Sequence, residues 1–207
     1  MTKIAASLTA LTIAATPVAA QDSYRGYESP HYTVVSREGP IELRQYAPAL
    51  MAEVQVQADR SAALRAGFRI LAGYIFGGNT STDKIAMTSP VTQTASEKIA
   101  MTSPVTQSGA DGIWTVSFMM PSSYSLETLP VPNTNTIRFV ETTPSTKLVM
   151  QFSGWATAGR LQDYEHQLRR HALRNGIKIA EPAQYAYYDD PMTLPWKRRN
   201  EVAFAVR

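Results

Sequence analysis

Ala52-Glu53-Val54-Gln55-Val56-Gln57 and, after three intervening residues, Ser61-Ala62-Ala63-Leu64-Arg65-Ala66-Gly67-Phe68-Arg69-Ile70-Leu71-Ala72-Gly73-Tyr74-Ile75 follow two different hydrophobic periods. The first run alternates apolar and polar residues, the period of a half-buried strand. In the second, Leu64, Phe68, Leu71 and Ile75 recur at intervals of four, three and four, which stacks them on one face of a helix. Asp59 or Ser61 is placed to cap its start, and Gly77-Gly78-Asn79 to stop it.

Working outward, Tyr32-Thr33-Val34-Val35, a Glu38-Gly39-Pro40 turn and the alternating run 41–46 supply strands before this junction. The second half of the chain repeats the plan. Residues 137–140 and 147–152 read as strands around a turn, and Leu161, Tyr164, Leu168 and Ala172 form a second helical stripe ended by Asn175-Gly176. Residues 184–188 and 201–206 read as closing strands. Strands, helix and strands, twice over and with no Pro/Ser-rich linker, predict a single α+β domain with internal pseudo-symmetry.

One ten-residue string, Lys-Ile-Ala-Met-Thr-Ser-Pro-Val-Thr-Gln, occurs at 84–93 and again at 98–107. Two copies fall short of the ~3 that a solenoid needs. The expectation is a local duplication of an extended segment, with Pro90 and Pro104 holding each copy off a central strand.

The N-terminus has the pattern of an export signal. Lys3 precedes an Ala-rich apolar stretch over 4–15, and the small residues Val18 and Ala20 mark a cleavage site before Gln21. The apolar run is too short to span a bilayer, and Pro17 ends it. Residues 1–20 are therefore read as a signal peptide, 21–30 as a flexible leader and 31–207 as the domain. A periplasmic or secreted protein is expected, with no stable membrane insertion after cleavage.

Composition excludes several classes. The 207 residues are 44% hydrophobic, too apolar for a disordered chain. A balance of 20 basic and 17 acidic residues gives only +3, without a basic block, so nucleic acid is not an expected partner. Cysteine is absent, which removes disulfides, thiolate metal sites, catalytic thiols and thioether-linked cofactors.

The familiar catalytic templates are missing: no nucleophile elbow, phosphate loop, dinucleotide fingerprint or zinc-protease helix motif. His166 and His171 lie five apart, roughly 140° around a helix, and cannot share one metal. His171, three residues after Leu168, is the candidate metal ligand, the alternative being a boundary histidine held by local bonds. Met87 and Met101, equivalent in the two repeats, are core-filling side chains or a thioether pair. Arg65, beside Phe68 on a largely apolar helix, is either a snorkelling surface arginine or the charged rim of a site for an amphiphile with carboxylate ends.

Several of these stretches occur together in one known family. Residues 63–79, the Lys-Ile-Ala-Met-Thr-Ser-Pro-Val strings, Ile41-Glu42-Leu43-Arg44-Gln45-Tyr46, and Tyr188-Asp189-Asp190-Pro191 with Pro195-Trp196 and Arg198-Arg199-Asn200-Glu201-Val202 resemble the SOUL haem-binding protein family. The resemblance covers about residues 31–207. It implies a distorted antiparallel β-barrel with two flanking helices in pseudo-twofold halves, similar to bacterial effector-binding domains. It also implies non-covalent binding of haem or porphyrin on an apolar surface around the first helix, matched here by Leu64, Arg65, Phe68, Leu71 and Ala72. By the same resemblance Arg65 pairs a propionate and Tyr188 approaches the ring, while no axial ligand is universal in the family. Gly73 stands where some members carry a basic residue.

The expected function is that of a non-catalytic haem carrier, scavenger or buffer. The alternatives are a small-molecule effector-binding or interaction module, and an enzyme acting on a tetrapyrrole. The enzyme would have to draw on His171, Tyr188, Asp189 or Asp190.

Overall fold

The change of period after residue 57 is a strand-to-helix junction. In the computed structural model, which describes residues 18–19, 23–81 and 96–207, β1 (Tyr32–Glu38), β2 (Ile41–Tyr46) and β3 (Leu50–Gln57) lead into α1 (Arg60–Ile75), β4 (Val105–Ala110) and β5 (Ile113–Met119). Then β6 (Arg138–Glu141) and β7 (Ser145–Phe152) lead into α2 (Ala158–Arg174), β8 (Ile179–Tyr187) and β9 (Asn200–Val206). These strands form one antiparallel sheet in the order β1-β2-β7-β9-β8-β4-β5-β3-β6, with the short Val18–Ala19 pair outside β1.

That order is symmetric about the β8–β4 contact. The triplet β4, β5, β3 on one side corresponds to β8, β9, β7 on the other, each with its helix between the first and second of its strands in the chain. The flanking strands are exchanged: β2 from the first half pairs with β7, and β6 from the second pairs with β3. The α+β fold with two helices and duplicated halves is thus present, as a curled half-barrel open between β1 and β6.

Both helices cover one face of the sheet. On α1, Leu71, Tyr74 and Ile75 pack on Ala52 and Val54 of β3 and Val116 and Phe118 of β5. On α2, Leu161, Leu168 and Ala172 pack on Leu148 and Met150 of β7 and Val202 and Phe204 of β9. Gly67 sets how closely α1 approaches: a Cβ there would fall 2.6 Å from the Val116 side chain. The alternate residues of each strand, among them Glu53, Ser117, Lys147, Ala186 and Ala203, point to the helix-free face.

Helix ends follow the sequence signals. Gly77 takes φ +110 just past α1, a conformation L side chains resist. Buried Asn79 then donates to Tyr74 O at 2.7 Å and to Glu97 O at 2.8 Å, which ties the helix end to the chain that returns at residue 96. On α2, Thr157 accepts from the Arg160 amide as N-cap.

Three findings depart from the sequence reading. The β4–β5 hairpin adds a strand pair, closed by Asp111 and Gly112 at φ 52 and 78. The second repeat copy does enter a central strand: Pro104 stays outside, but Val105, Thr106 and Gln107 belong to β4, paired on both sides. Within the segment read as a flexible leader, Ser23–Tyr24 and Tyr27–Glu28 form a small hairpin, fixed by the 2.9 Å Arg25–Asp189 ion pair. The first repeat copy, 84–93, and residues 1–17 of the expected signal lie outside the described residues. No helix among the described residues is long and apolar enough to cross a membrane.

Candidate functional site

The helical period that buries Ala63, Gly67, Leu71, Tyr74 and Ile75 leaves a second strip of α1 facing outward. Ser61, Arg65, Phe68, Arg69, Gly73 and Phe76 are exposed along it, and Ala72 borders it. From Arg65 to Phe76 the strip runs about 16 Å at 1.5 Å per residue. Two phenylalanines on one exposed strip, Phe68 at 38% and Phe76 at 59%, make an apolar surface that the fold itself leaves uncovered among the described residues. Phe68 stands edge-on to Phe118 of β5, centroids 5.5 Å apart, so its position is set by the core beneath it. Arg65 makes no ion pair among the described residues.

The residues singled out from sequence divide into three groups. Arg65 and Phe68 lie on the strip, with Ala72 at its border. Leu64 is partly buried against the core, and Leu71 has no exposed surface at all; Leu71 is a packing residue, because the helix period turns it onto the sheet. Tyr188 lies beyond β8 on the helix-free face, where it lines a cavity with Tyr46 and Glu201. Its neighbour Tyr187 is the tyrosine that reaches α1, accepting from Arg60 at 2.8 Å. Adjacent strand residues face opposite sides, so the two cannot exchange roles.

His171 is also remote from the strip. It is a buried residue of α2, its Nδ1 is 3.6 Å from Glu38 and its Nε2 meets Asn175 at 3.3 Å. The described residues contain no cluster of three His, Asp or Glu side chains able to hold a metal. Met101 packs against the core under α1, while Met87 lies outside the described residues.

Tyr188 belongs to a buried charge network. Its hydroxyl donates to Glu201 Oε2 at 3.1 Å. The same carboxylate receives Arg44 at 3.0 Å and Arg199 at 2.6 Å, and Arg199 stacks 4.0 Å over the Tyr188 ring. Burial raises the Tyr188 and Tyr46 phenol pKa values well above the ordinary one, with Glu201 adding to the rise. Burial opposes the charge on Arg44, but Glu201 together with Tyr46 and Tyr32 outweighs it, and the guanidinium holds its proton more tightly than usual. Phe76, Tyr187 and Lys147 were not singled out from sequence; Phe76 follows Phe68 and Ala72 at eight and four, a periodicity that identifies it.

An open antiparallel half-barrel with two helices on one face and an apolar, arginine-edged strip on the first defines a class of ligand-binding domain. The chain belongs to the SOUL heme-binding protein family, whose model matches residues 27–205. It is similar to Heme-binding protein 2 of Homo sapiens, 28% identical over 193 residues that cover 90% of each chain. The Mus musculus protein of that name is 28% identical over 79% of this chain and 77% of its own. Among solved structures, a hydrolase from Listeria innocua superposes with TM-score 0.55 at 12% identity, over 84% of this chain and 94% of that one. The EcmrR C-terminal domain superposes with TM-score 0.56 at 13% identity, over 81% and 96%. Both structural likenesses concern the fold alone.

Proposed function

We propose that the protein binds haem or a related tetrapyrrole non-covalently along the outer strip of α1, as an exported carrier, scavenger or buffer. Family membership and the two Heme-binding protein 2 relatives support the ligand class. The observation that carries the site is the pairing of exposed Phe68 and Phe76 with Arg65, which has no ion-pair partner among the described residues, on one helix face. A tetrapyrrole supplies a flat apolar body and carboxylate edges, and the strip offers a complement to each.

The donor set fits binding by packing and charge rather than by ligation. Ser61, Arg65, Phe68, Arg69, Ala72, Gly73 and Phe76 include no histidine, methionine or tyrosine. Covering the exposed parts of both rings contributes on the order of 1–2 kcal/mol, and a charge-assisted pair at Arg65 a similar amount.

Binding rather than catalysis also accounts for the acid–base candidates. Tyr188 is committed to Glu201. Asp189 accepts from Tyr24 and from the Arg199 amide, and Asp190 from the Met192 amide. The reading of export rests on Lys3, the apolar run and the Val18/Ala20 pair; N-terminal sequencing of protein made in an exporting host should begin at Gln21.

Haem titration followed by Soret absorbance tests the site. The double variant Phe68→Ala, Phe76→Ala should bind at least about tenfold more weakly, the equivalent of 1.4 kcal/mol. Unchanged affinity with an intact fold would place the ligand elsewhere.

A further inference from the structure

The helix-free face of the sheet encloses a separate cavity of about 130 Å³. At about 30 Å³ per water that is room for about four waters or one small organic molecule, and far too little for a porphyrin. Ala186 and Ala203 form its floor, their methyl groups leaving space open, and Tyr46, Met51 and Tyr188 are among its walls.

Charge decides which chemistry fits. The carboxylates at this cavity already have partners. Glu201 is held by Arg44 and Arg199, and Glu53 by Arg138 at 3.2 Å and the Ser117 hydroxyl at 3.3 Å. Lys147 has no such partner. Its Nζ donates to Gln184 Oε1 at 2.7 Å and lies 5.0 Å from the Tyr46 ring centroid, and no carboxylate among the described residues is within ion-pair reach. An ammonium carries three hydrogens, so two remain for a ligand. Burial lowers the proton affinity of this amine, and the more distant Glu201 only offsets it in part, as for a cation without a counter-ion. Thr106 Oγ1, also at this cavity, is buried without a hydrogen-bond partner among the described residues.

We propose that this cavity binds a small organic carboxylate with an apolar body, the carboxylate on Lys147 and the body against Tyr46, Met51 and Tyr188. The site is independent of the α1 strip, being on the other face of the sheet and closed to anything the size of a macrocycle.

Calorimetric titration of the full chain with sodium benzoate tests it, with benzyl alcohol and benzylammonium as neutral and cationic probes of similar shape. Benzoate should bind at millimolar concentrations or below, and about tenfold more tightly than benzyl alcohol. Lys147→Met should reduce benzoate to the level of the alcohol and leave haem affinity unchanged. Ala186→Leu, which fills the floor and keeps Lys147, should abolish binding of both, so the result does not hang on one variant's folding. The proposal fails if wild type takes up no benzoate, if Lys147→Met binds it as well as wild type does, or if benzylammonium binds more tightly than benzoate.

Discussion

Arg44 Nη1 donates to Glu201 Oε2 across 3.0 Å, with side-chain exposures of only 1% and 3%. The pair joins β2, from the first half of the chain, to β9, at its end, and Glu42, which takes Arg44 Nε at 2.6 Å, stands beside it with Arg199, Tyr46 and Tyr188. A buried pair of this kind adds little over a well-packed apolar one, but removing one partner strands the other charge at about 3–5 kcal/mol. Glu201→Gln leaves Arg199 facing a neutral amide and Arg44 with Glu42 as its remaining carboxylate. It should lower the thermal midpoint by roughly 6–12 °C for a loss of about 3 kcal/mol, at 2–4 °C per kcal/mol. A shift of under a couple of degrees would mean the network is not holding the sheet.

Two glycines of α1 should respond to alanine in opposite directions. At Gly73 an added Cβ meets nothing within 4 Å, so Gly73→Ala gains helix propensity and should stabilise by about 0.5–1 kcal/mol. At Gly67 the same methyl falls 2.6 Å from fully buried Val116, and overpacking of this sort costs about 1–3 kcal/mol. Urea denaturation of the two variants checks the sign of each, and equal shifts would refute the close approach of helix to sheet.

The fold was legible where period and punctuation coincide. Alternation at 41–46 and 52–57 and the four-three-four spacing of Leu64, Phe68, Leu71 and Ile75 placed β2, β3 and α1 within a few residues. The β4–β5 hairpin was not read. Its signal is Asp111-Gly112 between two strand-like runs, a two-residue hairpin turn, but part of β4 sits inside the duplicated string, where the repeat masks the strand. The candidate site was half legible. Helical period identifies which residues share a face, so Arg65 and Phe68 emerge together; Leu71 entered the ligand surface through the resemblance alone, and the fold turns it onto the sheet. Tyr188, implied by the same resemblance, lies on the helix-free face, because the side a tyrosine faces depends on its place in the sheet. Lys147 had no local signal at all, because its isolation from carboxylates is a property of four strands brought together by pairing.

Six tyrosines, Tyr24, Tyr46, Tyr74, Tyr185, Tyr187 and Tyr188, ionise above the ordinary phenol range, burial being the first cause in each. Their neutral forms are favoured in the folded state. The stability this contributes is complete below the unfolded value of roughly 10 and is lost as pH rises from there through the higher folded values. Phenolate absorbance should therefore show these groups un-ionised in the folded protein at pH values where urea-unfolded chain is already titrated. Stability to urea should be flat approaching pH ~10 and fall above it. Coincident titration curves for folded and unfolded protein would contradict the burial described.

None of the three histidines lies on the α1 strip: His31 precedes β1, and His166 and His171 are on α2. Haem affinity should accordingly survive His31→Ala, His166→Ala and His171→Ala, singly and together. His171→Ala has a separate expected effect, a loss of stability from its buried position on α2. Loss of the Soret shift in a variant that keeps its circular dichroism would mean that a histidine ligates the iron.

Arg65 and Phe68 sit three apart on the outer strip, neighbours on successive turns, and their contributions can be separated by the ligand used. The guanidinium makes no ion pair among the described residues, so its pairing with a propionate displaces no partner among them. A partly exposed charge-assisted pair is worth about 1–2 kcal/mol, roughly five- to thirtyfold in affinity. Arg65→Ala should weaken haem by that factor and haem dimethyl ester much less, because the ester offers no charge. Phe68→Ala should weaken both alike, since the lost contact is apolar and both ligands present the same ring. Raising the ionic strength should reduce the difference between haem and its ester in wild type and leave Arg65→Ala nearly unaffected, because exposed pairs are screened over about 10 Å at 0.1 M salt. If Arg65→Ala weakens ester and acid equally, the arginine acts through the helix rather than through a propionate, and the orientation proposed for the ligand is wrong.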